Sequence, residues 1–180
     1  MGTDGSTMLE PLGRELPSLG PVAASSSLSC SLAPHFESVG GARRFTRSAL
    51  LDWDLDEHFD TVGLVVSELV TNALRHALPA VRPLPLGAPR VEPGVRLHLL
   101  RWTSRLVCAV RDPSDDSPVA RSHAPEEPDC TGESGRGLHL VEAFSDSWGW
   151  HPLAGTLRGK VVWALFRLPG SSLQVPPPRG

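Results

Sequence analysis

Residues Ser67 to Ala77 read SELVTNALRHA, and the spacing inside this stretch decides the fold. Glu68, Asn72 and His76 each stand four residues apart. Four residues advance a helix by about 400°, so these side chains form one slowly drifting polar stripe. Phe59, Val62, Val66, Leu69, Val70, Ala73 and Ala77 form an apolar stripe on the same segment. The pattern predicts an amphipathic helix that starts near Asp56, a residue suited to an N-cap, and runs to about Leu78, where Pro79 stops it. A neutral amide oxygen is a hard ligand that suits Mg²⁺, and a carboxylate one turn earlier can orient or deprotonate a hydroxyl beside it. By spacing alone, a solvated polar face is the simpler account of the stripe.

Upstream, Leu28, Cys30 and Leu32 alternate with Ser29 and Ser31, the pattern of a short strand before Pro34. From His35 to Leu51 the residues Phe36, Val39, Ala42, Phe45, Ala49 and Leu50 keep helical spacing, with Arg43, Arg44 and Arg47 on other faces. Downstream, residues 79–94 hold five prolines and two glycines and read as a long connecting loop. Val95, Leu97 and Leu99, then Leu106, Cys108 and Val110, alternate on either side of a Thr103-Ser104 turn, predicting a hairpin that ends at Asp112. Residues 113–134 lack periodicity and carry Pro113, Pro118, Pro125 and Pro128, as a surface loop or lid does. A short helix is expected after Gly135-Arg136-Gly137, with Leu138, Val141 and Phe144 inward. Strands follow around Trp148 and Trp150, two same-face tryptophans read as core, and from Val161 to Leu168. These elements give an α+β fold: a two-layer sandwich of a mixed, mainly antiparallel sheet with helices on one face. Residues 28–168 form the single domain, flanked by Gly/Ser/Pro-rich flexible ends at 1–27 and 169–180.

Composition narrows the function. A net charge of -3 over 180 residues, with scattered arginines, offers no basic footprint for nucleic acid. No apolar run approaches the roughly 20 residues that span a bilayer, and the first residues do not look like a secretory signal, so a cytoplasmic protein is expected. Cys30, Cys108 and Cys130 lie far apart without a Cys-x-x-Cys pair, which argues against a disulfide framework or a zinc site. Cys30 and Cys108 fall in alternating apolar runs and read as small core residues, while His123 and Cys130 lack a partner at ligand spacing. Lys160 is the one lysine among 17 basic residues, a bias we ascribe to GC-rich coding.

Two further features carry chemistry. Asp112 ends a strand, where a carboxylate can accept a hydrogen bond from the exocyclic amine of a purine; Asp before Pro is also a common turn starter. Gly135-Arg136-Gly137 opens a helix, whose free N–H groups and positive dipole end attract phosphate. In order, SELVTNALRHA at 67–77, VRDPS at 110–114, SGRGLHLVE at 134–142 and GKVVW at 159–163 resemble the gyrase, histidine kinase and mismatch-repair ATPase superfamily. Within it, they resemble the anti-sigma-factor serine kinase branch. The resemblance spans residues 28–168 and implies a histidine-kinase-like ATP-binding domain with ATP and Mg²⁺ as ligands.

It further implies that Asn72 coordinates Mg²⁺, that Glu68 is the general base, and that Asp112 reads the adenine amino group. Gly135, Arg136, Gly137 and Leu138 would lie at the phosphates, with the preceding residues as part of a mobile lid. His76 and Arg75 belong to the motif without an assigned role. The implied activity is a serine protein kinase that phosphorylates an antagonist protein and sequesters a sigma factor, with a possible homodimer and neither direct nucleic-acid nor membrane partner. The alternative is a nucleotide-gated protein-binding regulator with little or no kinase activity. A sensor histidine kinase needs an upstream dimerisation helix pair, for which about 27 residues give no room. The chain departs from the superfamily pattern in two places: Pro113, Ser114 and Asp115 stand where glycines usually follow the Asp, and Val161 where many relatives place a threonine. Lys160, just before it, reads equally as a surface turn residue or a ligand contact.

Overall fold

The structure is a computed structural model that describes residues 24–77, 94–118, 136–153 and 158–169. The elements run β1 (Ser26–Leu32), α1 (Ser38–Asp52), a 3-10 turn (Asp56–His58), α2 (Phe59–Ala77), β2 (Val95–Trp102), β3 (Arg105–Asp112), α3 (Arg136–Phe144), β4 (Ser147–Pro152) and β5 (Lys160–Arg167). The sheet order is β1-β2-β3-β5-β4, and every neighbouring pair is antiparallel. The α+β sandwich expected from the pattern is therefore present, with a wholly antiparallel rather than mixed sheet.

One face of the sheet meets the helices. Leu97, Leu99, Leu106, Cys108, Val110, Val162 and Ala164 from the strands bury against Ala42, Ala49 and Leu50 of α1 and Val62, Val66, Leu69, Val70 and Ala73 of α2. Burial of each large aliphatic side chain stabilises by about 1.5–3 kcal/mol, so this seam dominates the fold. Trp148 and Trp150 are partly buried and pack on the same core, as their spacing implied. The opposite face holds a second cluster of Leu100, Val107, Ala109, Val161 and Trp163. The early residues of β5 are consequently buried on both faces, and its near-continuous apolar run replaces simple alternation. The Trp163 indole lies so close to Gly149 that a Cβ there would sit 2.7 Å from Cζ2, so β4 needs glycine at that position.

Several boundaries differ from the reading of the chain. α1 begins at Ser38, whose hydroxyl donates to the Ala33 carbonyl at 2.8 Å, and Phe36 lies before it, 54% exposed. α1 ends where Asp54 takes a left-handed φ of 54° and Leu55 N–H donates back to the Leu50 carbonyl. A carboxamide-sized polar side chain tolerates that conformation better than most. Asp56 does not cap α2; it opens the 3-10 turn that feeds into it. Phe144, expected inward, is 45% exposed because it closes the last turn of α3, where only Val141 is fully buried. Of the ends expected to be flexible, 1–27 and 169–180, residues 1–23 and 170–180 lie outside the described residues, as do most of the 79–94 loop and residues 119–134 of the expected lid, whereas Ser26 and Ser27 already belong to β1.

His98 sits on the outer face, 6% exposed, with Arg96 and Arg111 nearby. Burial first, and the two guanidinium charges second, push its pKa from 6.5 down to about 4. Between those values the unfolded chain holds a proton that the folded chain does not, so stability falls as pH drops below 6.5. For these two values the loss at pH 5 is about 2 kcal/mol. Urea unfolding of wild type and His98→Gln at pH 7 and pH 5 tests this: the variant is expected to lose most of that pH dependence, and equal slopes in the two proteins would contradict it.

Candidate functional site

Glu68 and Asn72 of the polar stripe lie off the fully buried stripe of α2, as the spacing required. Glu68 and Asn72 are both half-buried, and among the described residues neither side chain has a hydrogen bond or ion pair. A carboxylate and an amide left unpaired at this depth are available to a ligand. α2 is held in place by α1. The Arg43 guanidinium donates to the Gly63 carbonyl at 3.0 Å and to Ser67 Oγ at 3.1 Å, while Ser67 Oγ donates to the Gly63 carbonyl at 2.7 Å. Arg43 and Arg47 also lie 5.3 Å and 4.9 Å from the centre of the Phe59 ring. These arginines read only as residues on outer faces of a helix; in the structure they clasp the segment that carries Glu68.

α3 packs on α2 and brings the glycine turn to Glu68. A Cβ on Gly137 would lie 2.8 Å from Glu68 Oε2, so glycine is what permits the carboxylate and the first turn of α3 to meet. That first turn carries N–H groups without helical partners and the positive end of the helix dipole. The arrangement suits phosphate: an anion-binding helix end beside a carboxylate and, one turn along α2, an amide oxygen. Leu138 is half-buried on the same turn, Arg136 is the first helical residue, and Gly135 lies outside the described residues.

Asp112 stands at the end of β3, on the helix-covered face, in a polar knot of its own. Its register partner across the sheet is Lys160, the first residue of β5. The Lys160 ammonium lies 2.7 Å from Asp112 Oδ2, and both side chains are 1% exposed. That approach is out of line for a hydrogen bond, so the contact at Oδ2 is an ion pair without a directed N–H. Lys160 donates instead to the Ser114 carbonyl at 3.0 Å, and Ser114 N–H donates to Asp112 Oδ1 at 2.8 Å. Asp112 is thus also the turn starter that an Asp before Pro suggests. Removing one member of a buried ion pair costs about 3–5 kcal/mol, because the other charge is left without a partner. A hydrogen bond to a charged group returns only about 1.5–3 kcal/mol.

The loop is fixed from below as well. Gly159 has φ 102°, and a Cβ there would run into the Asp112 carbonyl oxygen. Its N–H donates to Asp115 Oδ1 at 2.7 Å, and Arg158 pairs with Asp115 at 3.6 Å. Lys160 is therefore neither a surface turn residue nor an open contact. The available signals were its being the one lysine in an arginine chain and its place opposite Asp112 once the two strands are aligned. The structure brings Glu68 and Gly137 together directly, and leaves Asp112 paired with a partner from its own chain.

Among the described residues no group of three or more His, Cys, Asp and Glu is placed to hold a metal ion, and no helix is long and apolar enough to cross a membrane. Residues 32–165 match the histidine kinase-like ATPase domain family. The match covers well over half of the chain, and the chain belongs to this family. ATP is accordingly the ligand class of the site. No curated protein matches the sequence closely enough to count as a relative.

The phosphate end fits that ligand, since the glycine at 137 lets the first turn of α3 approach Glu68 without a side chain between them. Gly137→Ala places a methyl against a mobile carboxylate, so stability is expected to change by no more than about 1 kcal/mol, the helix preference for alanine offsetting the crowding. Nucleotide affinity is expected to fall at least tenfold. Thermal unfolding together with calorimetric titration of ATP with Mg²⁺ checks both; unchanged affinity would remove Gly137 from the site.

Proposed function

We propose that this chain is an ATP-dependent serine protein kinase of the anti-sigma-factor type. The observation that carries the reading is the Glu68 carboxylate, without a partner among the described residues, set against Gly137 at the N-terminus of α3, one helical turn from Asn72. Bound ATP supplies the phosphoryl group and carries Mg²⁺. The first turn of α3 orients the phosphate chain through its free N–H groups, and the Asn72 amide oxygen serves as a ligand for the metal. Glu68 accepts the proton of a serine hydroxyl on a small antagonist protein as that oxygen bonds to the γ-phosphorus, the bond to the β-phosphate oxygen breaks and ADP leaves. A sigma factor is the partner held while the antagonist is phosphorylated, two copies of the chain form the working unit, and the protein acts in the cytoplasm.

A second reading is favoured by the closed Asp112–Lys160 pair: a regulator whose grip on its partner changes with nucleotide and which transfers no phosphate. The two are separated by Glu68. In the kinase, Glu68→Ala lowers transfer of labelled phosphate from ATP to the antagonist by about 10²–10⁴-fold, with nucleotide binding retained. In the regulator, partner affinity still responds to ATP in Glu68→Gln, and wild type transfers nothing. Transfer that is equal in wild type and Glu68→Ala would sink the kinase assignment. Asn72→Ala is expected to weaken binding of ATP with Mg²⁺ at least tenfold, with a smaller effect when Mg²⁺ is omitted; calorimetry under both conditions measures this.

A further inference from the structure

We infer that Lys160 fills, from within the protein, the place at the Asp112 carboxylate that a nucleobase amine would take, so that the site holds nucleoside triphosphates by the phosphate end with little preference for adenine. The inference rests on the nucleotide reading of the Glu68–Gly137 end.

Three observations converge on it. The first is occupancy: Oδ1 of Asp112 accepts the Ser114 N–H at 2.8 Å, and Oδ2 has the Lys160 ammonium at 2.7 Å. An exocyclic amine seeking Oδ2 meets a cation already there. The second is closure: each side chain is 1% exposed, and the ammonium is tied by a second bond to the Ser114 carbonyl at 3.0 Å. An amine entering beside the ammonium would meet a carboxylate whose charge is already compensated, and drawing the ammonium away from it inside the protein costs more than the incoming hydrogen bond returns.

The third is rigidity. Lys160 is anchored by its β5 register with Asp112, and by Gly159, whose left-handed backbone lies against the Asp112 carbonyl and is held by Asp115. With the backbone fixed, the ammonium can withdraw only by rotating its own buried side chain and giving up the Ser114 carbonyl. The pair therefore replaces a contact to the base with one inside the chain.

The experiment compares affinities of the full chain for ATP, for purine riboside triphosphate, which lacks only the 6-amino group, and for GTP, all with Mg²⁺, by calorimetric titration. ATP and the deamino analogue are expected to bind within about threefold of each other. A carboxylate free to accept the amine makes ATP at least tenfold tighter, and that result would overturn the inference while leaving the nucleotide site intact. If none of the three binds, both the inference and the nucleotide reading fall. In Lys160→Thr the carboxylate is released to the base, and ATP is expected to gain at least tenfold over the analogue; a folded variant that still does not discriminate would overturn the assignment to Lys160. Lys160→Arg keeps a cation there and is expected to show no such gain. The wild-type comparison decides the matter whether or not the threonine variant folds.

Discussion

The register of β3 against β5 is the constraint on which the site depends. These strands are not consecutive, and α3 and β4 lie between them in the chain. Their alignment puts Val110 opposite Val162 and Cys108 opposite Ala164 under the helices, and it ends with Asp112 opposite Lys160. A slip of one residue would turn every side chain of β5 to the other face. It would expose the apolar partners and strand one buried charge without the other. Gly159 makes the slip sterically expensive as well, since only glycine passes under the Asp112 carbonyl. The same register thus fixes the core and decides which charge the carboxylate sees.

α2 does two jobs with two stripes. Its apolar stripe closes the core, and the stripe carrying Glu68 and Asn72 is held up to the glycine turn of α3. The Arg43 clasp matters because it acts on Gly63 and Ser67, the turn before Glu68, and so sets where that carboxylate starts from. Catalytic geometry depends on such supports, and here they come from α1 rather than from the site itself.

Much of this was legible in the chain. The 3.6-residue period of SELVTNALRHA gave both stripes of α2, because helix geometry converts spacing into direction without reference to partners. The hairpin through Thr103-Ser104 was equally plain, since local alternation and a tight turn define it. The glycine turn was visible as a helix start, but its meeting with Glu68 was not, because it depends on how α3 packs on α2. Lys160 was not legible, because its burial depends on which distant strand lies beside β5. Phe36 and Phe144 misled for a related reason: apolar period says which face a residue shares, not whether the helix extends far enough for that face to be covered. Asp56 has the chemistry of a cap, yet the backbone there forms a 3-10 turn instead.

Among the described residues β1 is an outermost strand that pairs with β2 alone, and a sheet edge of this kind can template association between molecules. Its sequence SSLSCSL places Ser27, Ser29 and Ser31 on one side, with Ser31 accepting from Arg96 at 3.0 Å, so the strand offers little apolar surface there for a second chain to zip onto. The one reactive group it carries is the Cys30 thiol, and burial pushes that up to about 11, against a weaker opposing pull from Arg96. At pH 7 only about one thiol in ten thousand is then ionised, and the thiolate is the species that attacks. At neutral pH the open edge therefore carries a thiol that is slow to attack another copy of the protein.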